Sequence, residues 1–323
     1  MPSPHMASPF PLRKVIALLL VALLVGYLFW KNADELPLIM SLFSFKRLPE
    51  ALGAISFLAL SLAFGALRQH LMLAFIGHGV SYRNLLHILY ASLFANNFLP
   101  GGVGFDLFRI YGIRKYTSLG YSSLAGLVFV DRLLGLCGLT ILAGGAAGLA
   151  ITQGRMNIML AEVPLSLVLL ASPVMLVGAL LILRYDSIYD LFRRVLAHTP
   201  FQQQATSALD VLRQYSLRRR FLLSMICLSL GVQASCVVGV ASLSGLLYDS
   251  TAMYQVLVLT PLVFLISSIP VTPGNVGWTE VMAGVIWEFF NLHGGVALFV
   301  QWRLVSIIFS AGGIYSYFML KKN

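Results

Sequence analysis

Two arginines stand inside apolar runs, Arg132 in Val130-Asp131-Arg132-Leu133-Leu134 and Arg303 in Gln301-Trp302-Arg303-Leu304-Val305. A guanidinium at mid-bilayer costs about 2.5–3.5 kcal/mol on insertion scales, so each must face a cavity or a partner. Its planar fork suits two oxygens of a lipid phosphate. A structural bond to backbone carbonyls or to Asp106 would satisfy Arg132 as well, and the same alternatives stand for Arg303. Asp131 is the sequence neighbour of Arg132, yet adjacent residues diverge by about 100° on a helix and need not pair.

The acids near these arginines follow two glycine-rich breaks. Pro100-Gly101-Gly102-Val103-Gly104-Phe105 is followed by Asp106, and Pro273-Gly274-Asn275-Val276-Gly277-Trp278 is followed, after Thr279, by Glu280. Both breaks read P-G-x-V-G-aromatic. Arg132 lies 32 residues after Pro100, and Arg303 lies 30 after Pro273. A repeated break followed by a repeated arginine is the signature of a duplicated unit. A helix that starts just past such glycines points its free N–H groups and positive dipole end toward mid-membrane, where an anion binds well. Asp106 and Glu280 fall in these first turns, as dipole-stabilised acids or as proton or amine ligands. Arg109, three residues after Asp106, is placed to pair with it on one helix face.

The chain that must position these groups is a membrane protein by arithmetic. Its 323 residues are 59% hydrophobic and 11% charged, where a soluble domain carries about 25% charged residues. The longest polar stretch, 184–220, leaves no room for a sizeable extramembrane catalytic domain. The predicted fold is an all-α polytopic membrane protein with six full spans at about 14–30, 50–72, 121–150, 163–184, 221–247 and 295–320. Between them, the short runs 85–99 and 105–117, and again 253–269 and 278–291, are separated by proline and glycine. They read as two re-entrant helical hairpins, with two helix kinks in a packed bundle as the alternative. Residues 1–12 read as a disordered segment and 13–323 as a single transmembrane domain. The apolar run after Arg13-Lys14 lacks a small-residue cleavage site and reads as a retained first helix.

Lys and Arg total 22 against 12 Asp and Glu, a net charge of +10. With both termini cytoplasmic, 16 of the cations fall on the cytoplasmic side, Arg68, Arg109 and the seven arginines of 184–220 among them; four fall outside. Six spans satisfy this count only if each hairpin returns to the side it entered from, the first from the cytoplasm and the second from outside. The halves, about 13–151 and 160–320, then form a 4+4 inverted repeat. Interrupted segments paired in this way point to a midplane substrate site. The stretch 184–220 reads as a basic cytoplasmic loop that is expected to touch anionic lipid.

Other chemistry is sparse. Cys137, Cys227 and Cys236 show no metal or disulfide spacing and read as packed thiols. Gly144-x-x-x-Gly148 reads as helix packing. Glu288, late in the second hairpin, is expected to snorkel to the outer surface. No cofactor, metal or nucleic-acid motif is present. A homo-oligomer or a lipid-synthase partner is compatible with the chain.

Asn97-Phe98-Leu99-Pro100-Gly101-Gly102-Val103-Gly104, then Asp106, Arg109 and Asp131-Arg132-Leu133-Leu134-Gly135, resemble the flippase-like family named for the transmembrane region of lysylphosphatidylglycerol synthase. Pro273-Gly274-Asn275-Val276-Gly277, Glu280 and Arg303 are similar to its second signature. The resemblance implies a stand-alone domain of the inner (plasma) membrane that translocates an anionic phospholipid, such as aminoacylated phosphatidylglycerol. It places Arg132, Arg303, Asp106, Glu280, Arg109, Asp131, Gly101, Gly102, Gly104, Gly274, Asn275 and Gly277 at the substrate. Synthase activity is not carried over. Thr279 precedes Glu280 where family members often have arginine, and Phe105 separates Asp106 from the glycine. The alternatives are a membrane transferase, a handler of polyprenyl-phosphate lipids, and a non-transporting partner subunit of a lipid synthase.

Overall fold

A computed structural model describes residues 26, 33–98, 104–152, 185–196, 202–245, 250–269, 271–272, 275–290 and 292–322. The N-terminal segment 1–12, nearly all of span 14–30, span 163–184 up to its last residue, and Pro100, Gly101, Gly102, Val103, Pro273 and Gly274 lie outside the described residues.

Among the described residues the regular structure is helical throughout. Short helical turns from Ala33 lead into α1 (Leu48–Phe75), which opens with Pro49 in its first turn and carries no charge between Glu50 and Arg68. It stops where Gly77 takes φ +85° and the His78 amide donates to the Leu73 carbonyl at 2.9 Å. A residue in that conformation ends a helix while capping its last carbonyls. Then follow α2 (Tyr82–Phe98), α3 (Gly104–Arg114), α4 (Tyr121–Thr152), α5 (Asp186–Leu196), α6 (Gln202–Leu217), α7 (Arg219–Leu243), α8 (Ser250–Ser267), α9 (Trp278–Phe289), α10 (Gly295–Ala311) and α11 (Gly313–Lys322).

Four of these stretches are long and apolar enough to cross a membrane: Phe45–Phe75, Tyr121–Ala146, Arg219–Leu243 and Gly295–Lys321. They coincide with four of the six spans read from sequence. The last is less uniform than expected. Helix α10 gives way to α11 at Gly312, beside Tyr90, whose hydroxyl donates to the Phe309 carbonyl at 2.7 Å.

Helices α1 and α7 form an antiparallel pair at the centre. Gly53 faces Ser242, Phe57 faces Gly239, Ser61 meets Cys236 at 3.2 Å, Phe64 covers Gly231, and Arg68 donates to Ser229 at 2.7 Å. Two apolar clusters sit at opposite ends of this pair. One joins Met72 and Leu73 of α1 and Leu222 and Met225 of α7 to Leu85, Ile88 and Ile113 of α2 and α3. The other joins Ala54 and Leu58 of α1 and Val240 and Leu243 of α7 to Val256, Leu259 and Trp287 of α8 and α9. Helix α2 packs on α10 and α11, and α8 packs on α4.

Close packing of α4 on α7 centres on Gly138, where an added Cβ would lie 2.8 Å from the Ser229 carbonyl carbon. Of the thiols, Cys137 is buried and Cys236 half-buried, as expected, but Cys227 is exposed on α7. The stretch 184–220, read as a basic loop, forms the two helices α5 and α6, and α6 packs on α4.

Candidate functional site

The short helix α3 starts at Gly104, which is buried, so Asp106 is its third residue and Arg109 lies one turn on. Helix α4 passes beside it and carries Asp131 and Arg132 on adjacent positions, which point in different directions. The outcome is an exchange of partners. Asp106 takes Arg132 on one oxygen and Arg109 on the other, the latter at 3.1 Å. Asp131 takes Arg109 at 2.7 Å and Arg68 of α1 at 2.8 Å. Arg109 also donates to Gln69 Oε1 at 3.3 Å, and its guanidinium lies over the Phe105 ring at 5.4 Å. Arg68 also donates to Ser229 Oγ, tying the network to α7.

Three arginines thus share two carboxylates among the described residues, and the cluster carries one surplus positive charge. Burial decides where that surplus is available. Arg68, Arg109 and Asp131 have side chains exposed by 8%, 4% and 6%, whereas the Arg132 side chain is 46% exposed. Asp131 lies ten residues into α4, about 15 Å along the helix from its start at 1.5 Å per residue.

The second constellation repeats the scheme with fewer parts. Glu280 is the third residue of α9, and Arg303 of α10 binds it through Nε and, at 3.4 Å, through Nη2. The other Glu280 contact is the Gly277 amide, which donates to Oε2 at 2.9 Å and so caps α9. Gly277 holds φ +80° and Asn275 φ +54°, a conformation in which only glycine and asparagine are at ease. Arg303 Nη2 also donates to the Asn275 carbonyl at 2.8 Å, and the Asn275 amide group donates to the Ser267 carbonyl. Thr272 Oγ1 donates to the Val276 carbonyl at 2.8 Å and Thr279 Oγ1 to the Asn275 carbonyl at 3.3 Å. These hydroxyls satisfy backbone groups that the break sets free.

A model of the lysylphosphatidylglycerol synthase TM region matches residues 14–312. The chain belongs to this family. No curated protein and no solved structure matches it. The match extends over both constellations of this family member, over three of its described spans in full and over the fourth as far as residue 312.

Of the residues singled out in the sequence, Asp106, Arg109, Asp131 and Arg132 meet in the first constellation. Glu280, Arg303, Asn275 and Gly277 meet in the second. Gly104 starts α3, and Gly101, Gly102 and Gly274 lie outside the described residues. Two arginines counted with the cytoplasmic cations are buried in the protein: Arg68 and Arg109 are 6% and 3% exposed and bind Asp131. Removing them leaves the charge bias strong. Sequence reasoning missed Arg68, Gln69 and Ser229. The available signal was a charged and an amide residue two turns before the end of an otherwise apolar helix.

A separate cavity of about 350 Å3 is lined by Asp34, Glu35, Trp287, Glu288 and His293 and shares no residue with either constellation. Its Glu35 accepts from the Gly294 and Ala297 amides at 3.0 and 2.7 Å and caps α10. No group of three or more metal-ligating side chains occurs among the described residues.

Proposed function

We propose that this protein moves an anionic phospholipid between the leaflets of the inner membrane, with both termini cytoplasmic, and that Arg132 receives the phosphate. The observation that carries this reading is the unequal sharing of charge around α3: one guanidinium more than the carboxylates can neutralise, half-exposed, beside a glycine-started helix. A phosphodiester brings one negative charge, which would balance the cluster. In a low-dielectric passage fixed donors of this kind replace the water that the headgroup loses, while the acyl chains stay in the bilayer.

The antiparallel α1–α7 pair, with α2–α3 at one end and α8–α9 at the other, supports two oppositely inserted hairpins in an inverted repeat. So does the exchange by which α2 packs on α10 and α8 on α4. Access would then alternate as one half rocks against the other around the charged groups. Arg303 and Glu280 would form a structural latch on the opposite side. In this reading Asp106 holds Arg132 until the phosphate arrives, and Asp131 keeps Arg68 and Arg109 neutralised.

The test is reconstitution in liposomes with fluorescent phosphatidylglycerol, read by chemical quenching of the outer leaflet and by lipid mass. Transport predicts leaflet exchange at unchanged mass. A changed mass would mean a transferase, and neither effect would mean a partner subunit of a synthase. Arg132→Ala should slow exchange by roughly 10–100-fold while the protein stays folded. Full exchange by that variant removes Arg132 from the mechanism.

A further inference from the structure

Helix α5 has an apolar face wider than its neighbour covers. Ile188, Tyr189, Leu191, Phe192, Val195 and Leu196 recur at helical spacing, and at 100° per residue they occupy one side. Tyr189 is buried against α6, donating to Asp210 while Arg213 lies 4.1 Å over its ring and pairs with Asp186. Leu191, Phe192 and Val195 remain 59%, 50% and 59% exposed. Arg193 and Arg194, both exposed, border this face.

The position of α5 supplies the occupant. Helix α6 lies across one end of the membrane-spanning helices: its Tyr215 hydroxyl donates to the Met72 carbonyl near the end of α1, at 3.2 Å. Its Leu209 and Leu212 pack in one cluster with Leu124 and Leu127 near the start of α4. One residue, Arg218, separates α6 from the spanning helix α7, and its guanidinium lies 5.3 Å over Phe75. Helix α5 is thus held by side-chain bonds to an element seated at the membrane boundary. An apolar ridge bordered by arginines at that level fits the headgroup layer of an anionic leaflet, which takes up both kinds of group.

We propose that α5 is an in-plane membrane anchor, with Leu191, Phe192 and Val195 sunk into the headgroup layer and Arg193 and Arg194 on anionic lipid phosphates. The anchor holds independently of whether the protein transports lipid.

Spin labels at Leu191→Cys and Val195→Cys, compared with Ser187→Cys and Asp190→Cys on the polar side, test it in nanodiscs of phosphatidylcholine with phosphatidylglycerol. The background carries Cys137→Ala, Cys227→Ala and Cys236→Ala. Labels at 191 and 195 should be more accessible to oxygen than to a water-soluble nickel complex, and those at 187 and 190 the reverse. Arg193→Glu with Arg194→Glu should shift the 191 and 195 labels toward water. Water-like values at all four sites overturn the anchor, and so does shielding of 191 and 195 from both reagents, which would mean a protein covers the face. Depth unchanged by charge reversal overturns the lipid role of the arginines. Should the cysteine-free chain fail to fold, benzophenone at position 192 of the otherwise native chain gives the same decision: adducts of lipid mass support the anchor, and adducts of protein mass overturn it.

Discussion

The two charged constellations are built on one plan and differ in how completely they close. In each, an acid at the third position of a short helix meets an arginine from the next long helix, Asp106 with Arg132 and Glu280 with Arg303. Among the described residues the second shows one carboxylate, one guanidinium that also reaches the Asn275 carbonyl, and a capped helix end. The first adds a buried layer in which Asp131 holds Arg68 and Arg109, and Arg109 reaches across to share Asp106. A balanced pair is fit to be a structural latch. A cluster with a positive surplus at its exposed edge is fit to take an anion. The difference comes from Arg68 of α1 and from Asp131, the residue before Arg132; the residue before Arg303 is Trp302, which covers Gly239.

The sharpest way to break this comparison is to remove the carboxylate of the first constellation's buried layer. Asp131→Ala leaves Arg68 and Arg109 buried with too little negative charge, a loss of about 3–5 kcal/mol when one partner of a buried pair is deleted. Thermal unfolding in detergent should show a much larger drop for Asp131→Ala than for Glu280→Gln, which leaves Arg303 its bond to the Asn275 carbonyl. Equal losses would mean that the buried layer does not distinguish the two halves.

The arginines give the next contrast, and here stability and transport should separate. Arg132→Ala removes an exposed group and costs little stability, but it removes the charge-assisted bonds to phosphate, worth about 1.5–3 kcal/mol, or roughly 10–100-fold in exchange rate. Arg303→Ala strands Glu280, whose side chain is 4% exposed, so its main effect should be on folding. Measuring melting and lipid exchange for both variants tests the assignment of roles. Loss of exchange in folded Arg303→Ala with none in Arg132→Ala would reverse it.

How far the sequence carried this picture depends on the kind of signal. The glycine breaks, the acids after them and the arginines about 30 residues on are local features, and the structure joins Asp106 with Arg132 and Glu280 with Arg303. The bond from Arg109 to Asp106 follows from helix spacing alone. Arg68 was not legible, because a cation near the end of an apolar run satisfies positive-inside counting as well as burial does. Only the tertiary position of Asp131 decides between them. Helix α5 was hidden for a related reason: its arginines fix the charge of 184–220, and the apolar period beneath them was read as loop. Spans 14–30 and 163–184 and the hairpin tips at 101, 102 and 274 lie outside the described residues.

Packing between the halves yields a moderate effect. Gly138→Ala would press a methyl group against the Ser229 backbone of α7, and overpacking of this kind costs about 1–3 kcal/mol. Because Ser229 Oγ also receives the Arg68 donor, the first constellation should loosen with it. Exchange by Gly138→Ala should therefore fall more than that of a variant equally destabilised at the second constellation. Equal falls would show that the α4–α7 contact is passive.

The smallest expected effect concerns Asn275, where side chain and backbone do different things. Its carbonyl accepts from Arg303, while its side-chain amide only ties the break back to Ser267. Glycine tolerates the local φ of +54° and keeps the carbonyl in place. Asn275→Gly should therefore lose one hydrogen bond, about 0.5–1.5 kcal/mol, and leave exchange unchanged at a temperature where the protein is folded. If exchange falls several-fold while melting barely moves, the amide itself touches the lipid, and the second constellation is a binding site and not a latch.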